Sequence, residues 1–117
     1  MTIFLVIMSS NAFAQYPSQP TPSHIQKEAD RLTDSYGKQL ALTGVQIPLF
    51  KNVVEEYLMK AEKTKDALDG REELDALVEL QARETLEMND ILTRPQYELY
   101  KKLKYKLQPL KVLKEKR

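Results

Sequence analysis

The sequence contains no cysteine. A disulfide framework, a thiol nucleophile and a thiolate metal site are therefore excluded. Tryptophan is also absent, glycine occurs only three times in 117 residues, and there is one histidine, His24. So few glycines favour long helices over a strand-rich fold with many turns. With no second histidine and no cysteine, neither a Ser-His nor a Cys-His nucleophile pair is expected. The same shortage of ligands argues against a zinc or nickel site, and Met59 and Met88 read as packing residues. No segment alternates with period two, so no strand is expected. The N-terminal apolar run, Ile3 to Met8, is far too short to cross a bilayer as a helix.

That run has a different reading. Residues 1–14, MTIFLVIMSSNAFA, place Ala12 and Ala14 at the −3 and −1 positions before Gln15. This fits a cleaved export signal. No Lys or Arg precedes the run, so either the amino terminus alone supplies the positive charge or the true start lies upstream. Gln15 and the absence of Cys exclude a lipid-anchored lipoprotein. The expected localisation is periplasmic. Residues 15–22 form a linker whose Pro17, Pro20 and Pro22 favour extended chain. A helical domain is expected over 23–108, and 109–117 form a basic tail.

Net charge is +1, but its distribution is uneven. Residues 55–90 carry 12 acidic and 5 basic side chains, a net of −7, and residues 94–117 carry 9 basic and 2 acidic, a net of +7. A chain so polarised can pair head to tail with a second copy, present its basic end to an anionic partner, or simply solvate both faces.

Four apolar stripes recur at helical spacing. The first follows Ser23, taken as an N-cap, with Ile25, Ala29, Leu32 and Tyr36. The second holds Ile47, Phe50, Val54, Tyr57, Leu58, Ala61 and Leu68, and stops at the turn dipeptide Asp69-Gly70. The third holds Leu74, Leu77, Val78, Gln81, Thr85, Met88, Ile91 and Leu92, and the fourth Tyr97, Tyr100, Leu103 and Leu107, ended by Pro109. The expected fold is all-α, with the second and third helices long, antiparallel and central. Glu72, Glu73, Asp75 and Glu79 are read as a solvated face rather than paired catalytic acids, and no catalytic residue is assigned.

One short pattern occurs twice, as Leu42-Thr43-Gly44-Val45-Gln46 and Leu92-Thr93-Arg94-Pro95-Gln96. In each, the Thr hydroxyl can accept from the N–H three residues on, and the Gln can reach back to the Thr N–H. That is a capping box. Leu42 with Ile47, and Leu92 with Tyr97, occupy the positions of a hydrophobic staple. Pro48 would fall at the fifth position of the second helix and delete one helical bond, so either the first turn is irregular or the helix starts properly only near Pro48.

The two motifs, Leu42, Thr43, Gln46 and Leu92, Thr93, Gln96, together with the export signal and chain length, resemble the LTxxQ-motif family of periplasmic proteins, the Spy/CpxP type. The likeness extends in layout from about Ser23 to Leu107. It implies a bent four-helix hairpin completed by antiparallel dimerisation. It also implies a non-enzymatic function without cofactor or ATP: chaperone-like binding of unfolded or envelope proteins. Alternatives within the family are a stress-regulatory module docking on a membrane sensor, and metal resistance or sensing. In the fourth helix, Tyr97, Tyr100, Lys101 and Lys104 are the candidate partner-binding residues. Basic residues mixed with aromatics can bind nucleic acid, but export makes that partner unexpected, and an anionic membrane surface or the acidic hairpin of a second subunit fits better.

Overall fold

The computed structural model describes residues 20–110. The expected export signal, the linker up to residue 19 and the tail from residue 111 onward lie outside the described residues. Four helices follow in order: α1 (Ser23–Leu40), α2 (Gln46–Ala67), α3 (Gly70–Met88) and α4 (Arg94–Leu107). There is no strand among the described residues, and no helix there is long and apolar enough to cross a membrane. The all-α expectation holds. The first helix, at 18 residues, is nearly as long as the third, at 19.

Cross-helix contacts fix the directions. His24 near the start of α1 meets Glu62 near the end of α2 at 2.8 Å, Asp30 meets Lys51 at 2.7 Å, and the Tyr36 and Phe50 rings lie 5.2 Å apart. The two helices are therefore antiparallel. A two-residue turn, Leu68-Asp69, then brings α3 back against α2. After a loop at residues 89–93, α4 packs on α1, with the Tyr36 and Tyr100 rings 5.1 Å apart.

The core gathers where the two loops meet. Ala29, Leu32, Tyr36, Leu40, Phe50, Val54, Met88, Leu92 and Tyr100 form one buried cluster. Tyr36, Phe50 and Tyr100 make a three-ring contact, with Phe50 edge-on to Tyr100 at 5.9 Å. Each such aromatic pair contributes about 1 kcal/mol beyond the area it buries. The Ile25, Ala29, Leu32 and Tyr36 stripe is buried along its whole length, which is what a spacing of three and four residues produces.

Several details differ from the sequence reading. Ser23 is the first residue inside α1 and not its cap. Pro22 takes the cap position, its carbonyl accepting the Ile25 and Gln26 N–H groups at 3.1 and 3.0 Å. Helix α2 starts at Gln46, so Pro48 falls in its first turn, where an N–H has no intrahelical partner in any case. Leu68 adopts an extended conformation just past α2. Gly70 takes a positive φ of 59°, as the turn dipeptide suggested. Val78 and Ile47, expected on packed faces, are 52% and 42% exposed. Glu73, expected on the solvated face, is buried.

Helix α1 ends unusually. Ala41 adopts a left-handed backbone with φ of 56°, and both its N–H and that of Leu42 donate to the Gly37 carbonyl. This is the helix end that glycine favours, here closed by a residue with a side chain.

Candidate functional site

The two copies of the repeated motif come together. Gln46 N–H donates to Thr43 Oγ1 at 3.2 Å and Thr43 N–H donates to Gln46 Oε1 at 3.0 Å. In the second copy, Gln96 N–H donates to Thr93 Oγ1 at 3.4 Å and Thr93 N–H donates to Gln96 Oε1 at 2.9 Å. The reciprocal Thr–Gln bonds form in both copies, but only Thr93 is itself the cap of its helix; in the first copy they close the turn ahead of Val45, which caps α2 with no side-chain bond. The side-chain amides then reach across the fold. Gln46 Nε2 donates to Gln96 Oε1 at 2.8 Å and Gln96 Nε2 donates to Gln46 Oε1 at 3.0 Å. Each amide also donates to a backbone carbonyl of the opposite loop, Gln46 to Ile91 and Gln96 to Leu40. The Leu40 carbonyl ends α1 and has no helical partner, so this bond satisfies it.

The junction holds only amides and hydroxyls. Its bonds fix the two corners of the fold. Leu42 and Tyr97 pack against the core and Leu92 is buried, whereas Ile47 lies outside the core cluster and is 42% exposed. The hydrophobic staple is accordingly stronger at the second copy than at the first.

A second feature lies between α3 and α4. Beyond the junction these helices leave a groove of about 800 Å³. Its α3 wall is Val78, Ala82 and Leu86, one stripe at spacing four, with Gln81 and Thr85 beside it. Its α4 wall includes Lys101 and Tyr105, and Pro109 and Leu110 line it past the helix end. Leu86 is 66% exposed and Tyr105 83%, so large apolar surface faces solvent here. Val78 follows Leu77 by one residue, a rotation of about 100° that takes it off the α2-facing stripe and into this wall.

The four candidate partner-binding residues divide. Lys101 lines the groove, with its Nζ 4.8 Å above the Tyr97 ring and 3.5 Å from Glu98. Tyr97 is half-buried and stacked on Tyr100. Tyr100 is fully buried and Lys104 is 7% exposed, which corrects their expected placement on a partner-facing surface. Tyr100 belongs to the ring cluster of the core. Lys104 has turned inward because a buried carboxylate awaits it.

That carboxylate is Glu84 of α3. Lys104 Nζ donates to Glu84 Oε1 and, at 2.9 Å, to the Tyr100 hydroxyl. Gln108, also buried, donates to both Glu84 oxygens at 3.4 and 3.5 Å and accepts from the Tyr36 hydroxyl at 2.7 Å. Gln81 Nε2 in turn donates to the Gln108 carbonyl at 3.0 Å. Burial shapes the ionisation of the whole cluster. It raises the Glu84 carboxyl, against the pull of Lys104, and lowers the Lys104 ammonium, against the pull of Glu84. Burial, followed by the Glu84 charge, lifts the Tyr36 and Tyr100 hydroxyls well above the usual phenol range and pushes Tyr57 up to about 12.

Among the described residues no three His, Cys, Asp or Glu side chains gather where a metal ion could be held. Comparison with family models, curated proteins and solved structures returns no match.

Proposed function

We propose that the chain is an exported, non-enzymatic binding protein of the LTxxQ type that holds partly unfolded or envelope proteins against the α3–α4 groove. The observation that supports this reading most is the groove itself. A stripe of Val78, Ala82 and Leu86 at helical spacing, left open to water opposite Tyr105 and Lys101, suits an incoming apolar segment. Exposed Arg94, Lys102 and Lys106 add positive charge along α4 and suit segments that also carry acidic residues. The doubled motif, with its paired glutamines, supports the family likeness.

The test is aggregation of a chemically denatured client on dilution into buffer, with the full mature chain at a few-fold molar excess. Light scattering falls if the groove holds clients, and unchanged scattering removes the proposal. Export has its own check. The N-terminal residue of the protein recovered from the periplasm is expected to be Gln15, and recovery of the uncleaved chain from the cytosol counts against it.

The basic face of α4 favours one second reading, a module that docks on the acidic periplasmic part of a membrane sensor. A pull-down from envelope extract that returns a single stoichiometric partner, with no protection of denatured clients, selects it. Either reading includes an antiparallel pair of chains that thickens a thin core. A monomeric mass by sedimentation at micromolar concentration refutes the pairing.

A further inference from the structure

The geometry points to a latch inside this groove: Glu84 and Lys104 hold the end of α4 against α3, and protonation of Glu84 releases that end and widens the groove. The functional consequence rests on the groove being the binding surface. The latch itself rests on the buried cluster alone.

The bonds between α3 and the end of α4 are concentrated at one place. Lys104 and Gln108 both reach Glu84, and Gln81 reaches the Gln108 carbonyl. Lys104 and Gln108 also line the groove, so these residues form its floor as well as its fastening. Helix α4 ends at Leu107, one turn beyond Lys104. Losing the bonds at Lys104 therefore disengages only the final turn, while Tyr100 stays in the ring cluster with Tyr36 and Phe50.

A proton can reach the carboxylate. On its α2 side Glu84 borders a hollow of about 120 Å³, shared with Glu56, Tyr57, Lys60, Arg83 and Glu87. The charged and titratable groups around it are thus Tyr36 from α1, Glu56, Tyr57 and Lys60 from α2, Arg83 and Glu87 from α3, and Tyr100 and Lys104 from α4. Desolvation dominates and raises the carboxyl, with Glu87 adding in the same direction and Lys104 opposing. Protonation is thereby shifted toward milder acid than for an exposed glutamate.

The consequence follows from the charge balance. One proton taken up at Glu84 leaves a neutral acid beside a buried ammonium. The ammonium keeps the Tyr100 hydroxyl, the Gln108 amide oxygen and the carbonyl oxygen of the neutral acid as acceptors, but no counter-charge. An uncompensated buried cation is strongly unfavourable. Its flexible four-carbon stem lets Lys104 swing to water, and the last turn of α4 goes with it.

The experiment uses the full mature chain and the apolar dye anilinonaphthalene sulfonate, read from neutral to mildly acidic pH beside far-ultraviolet circular dichroism. Dye fluorescence in the wild type is expected to rise several-fold and reversibly on acidification with helicity retained. Glu84→Gln is expected to give the high signal already at neutral pH. The double variant Glu84→Gln, Lys104→Met removes the buried charge and is expected to give the low signal throughout. A flat wild-type profile, a dye increase that merely tracks loss of helicity, or a pH response surviving in the double variant overturns the latch. If Glu84→Gln does not fold, the double variant decides alone by losing or keeping the response. Clients protected at neutral pH without any pH effect would sink the latch and leave the binding role standing. The dye response without protection of clients at any pH would do the reverse.

Discussion

Replacing Gln96 with alanine removes four hydrogen bonds to backbone and to Gln46 at once, besides a fifth from the exposed Thr93 hydroxyl that water replaces at little cost. The side chain accepts from Thr93 N–H, donates to the Leu40 carbonyl, and exchanges two bonds with Gln46. At a net of about 0.75 kcal/mol for each of those four bonds, the cost is about 3 kcal/mol. Gln46→Ala loses an equivalent set, to Thr43 N–H, the Ile91 carbonyl and Gln96, and costs about the same. The two exchanged bonds vanish in either single variant, so the double variant loses six of these bonds and not eight. It should cost about 4.5 kcal/mol, leaving a coupling of about 1.5 kcal/mol. Urea unfolding of the four proteins, followed by circular dichroism, measures this cycle provided that the slope against urea stays constant. Additive costs within about 0.5 kcal/mol would refute the cross-link. So would a Gln96→Ala cost of only about 1 kcal/mol, the worth of a single helix cap. In either case each glutamine would serve its own helix and the meeting of the motifs would carry no energy.

Two further perturbations follow from the geometry. Ala41→Gly relieves a left-handed backbone in which the methyl group is crowded, and should stabilise the fold by about 0.5–1 kcal/mol after the added freedom of the unfolded glycine is subtracted. A fall in the urea midpoint would show that the Ala41 methyl makes a contact worth more than its strain. The buried tyrosines make the protein sensitive to alkali. Their folded-state values are raised, so the stability they contribute is complete below the unfolded phenol value and is lost as pH rises above it. With Tyr36, Tyr57 and Tyr100 all raised, unfolding free energy should fall by about 4 kcal/mol per pH unit from about pH 10 to about 12, and by about 2.7 kcal/mol per unit beyond, where Tyr57 no longer contributes. Tyrosinate absorbance should appear together with loss of helix. Ionisation of all six tyrosines with the helices intact would contradict the burial.

The apolar spacing made the helices legible, because a step of three or four residues marks one face whatever packs on it. It also misassigned faces where one step decides the wall. Val78 sits beside Leu77 in the chain yet faces the α4 groove, and nothing within the α3 sequence distinguishes a stripe that meets a helix from one left open. The reciprocal bonds of Thr43 with Gln46 and of Thr93 with Gln96 were readable from local spacing. Their meeting was not, since it joins residues 50 apart, and a duplicated motif does not announce that its copies touch. Glu84 and Lys104 differ again, because a signal was present. Glu84 lies seven residues after Leu77 and four before Met88, and Lys104 lies four after Tyr100, so both occupy core positions of their stripes. Reading charge as surface hid them. Two opposite charges, each at a core position of neighbouring helices, are better taken as mutually explanatory: neither could be buried alone without a cost of several kcal/mol. The same pairing explains why α4 presents Tyr105 and Lys101 to the groove. Once Lys104 turns inward to Glu84, the residues three before and one after it must face the opening.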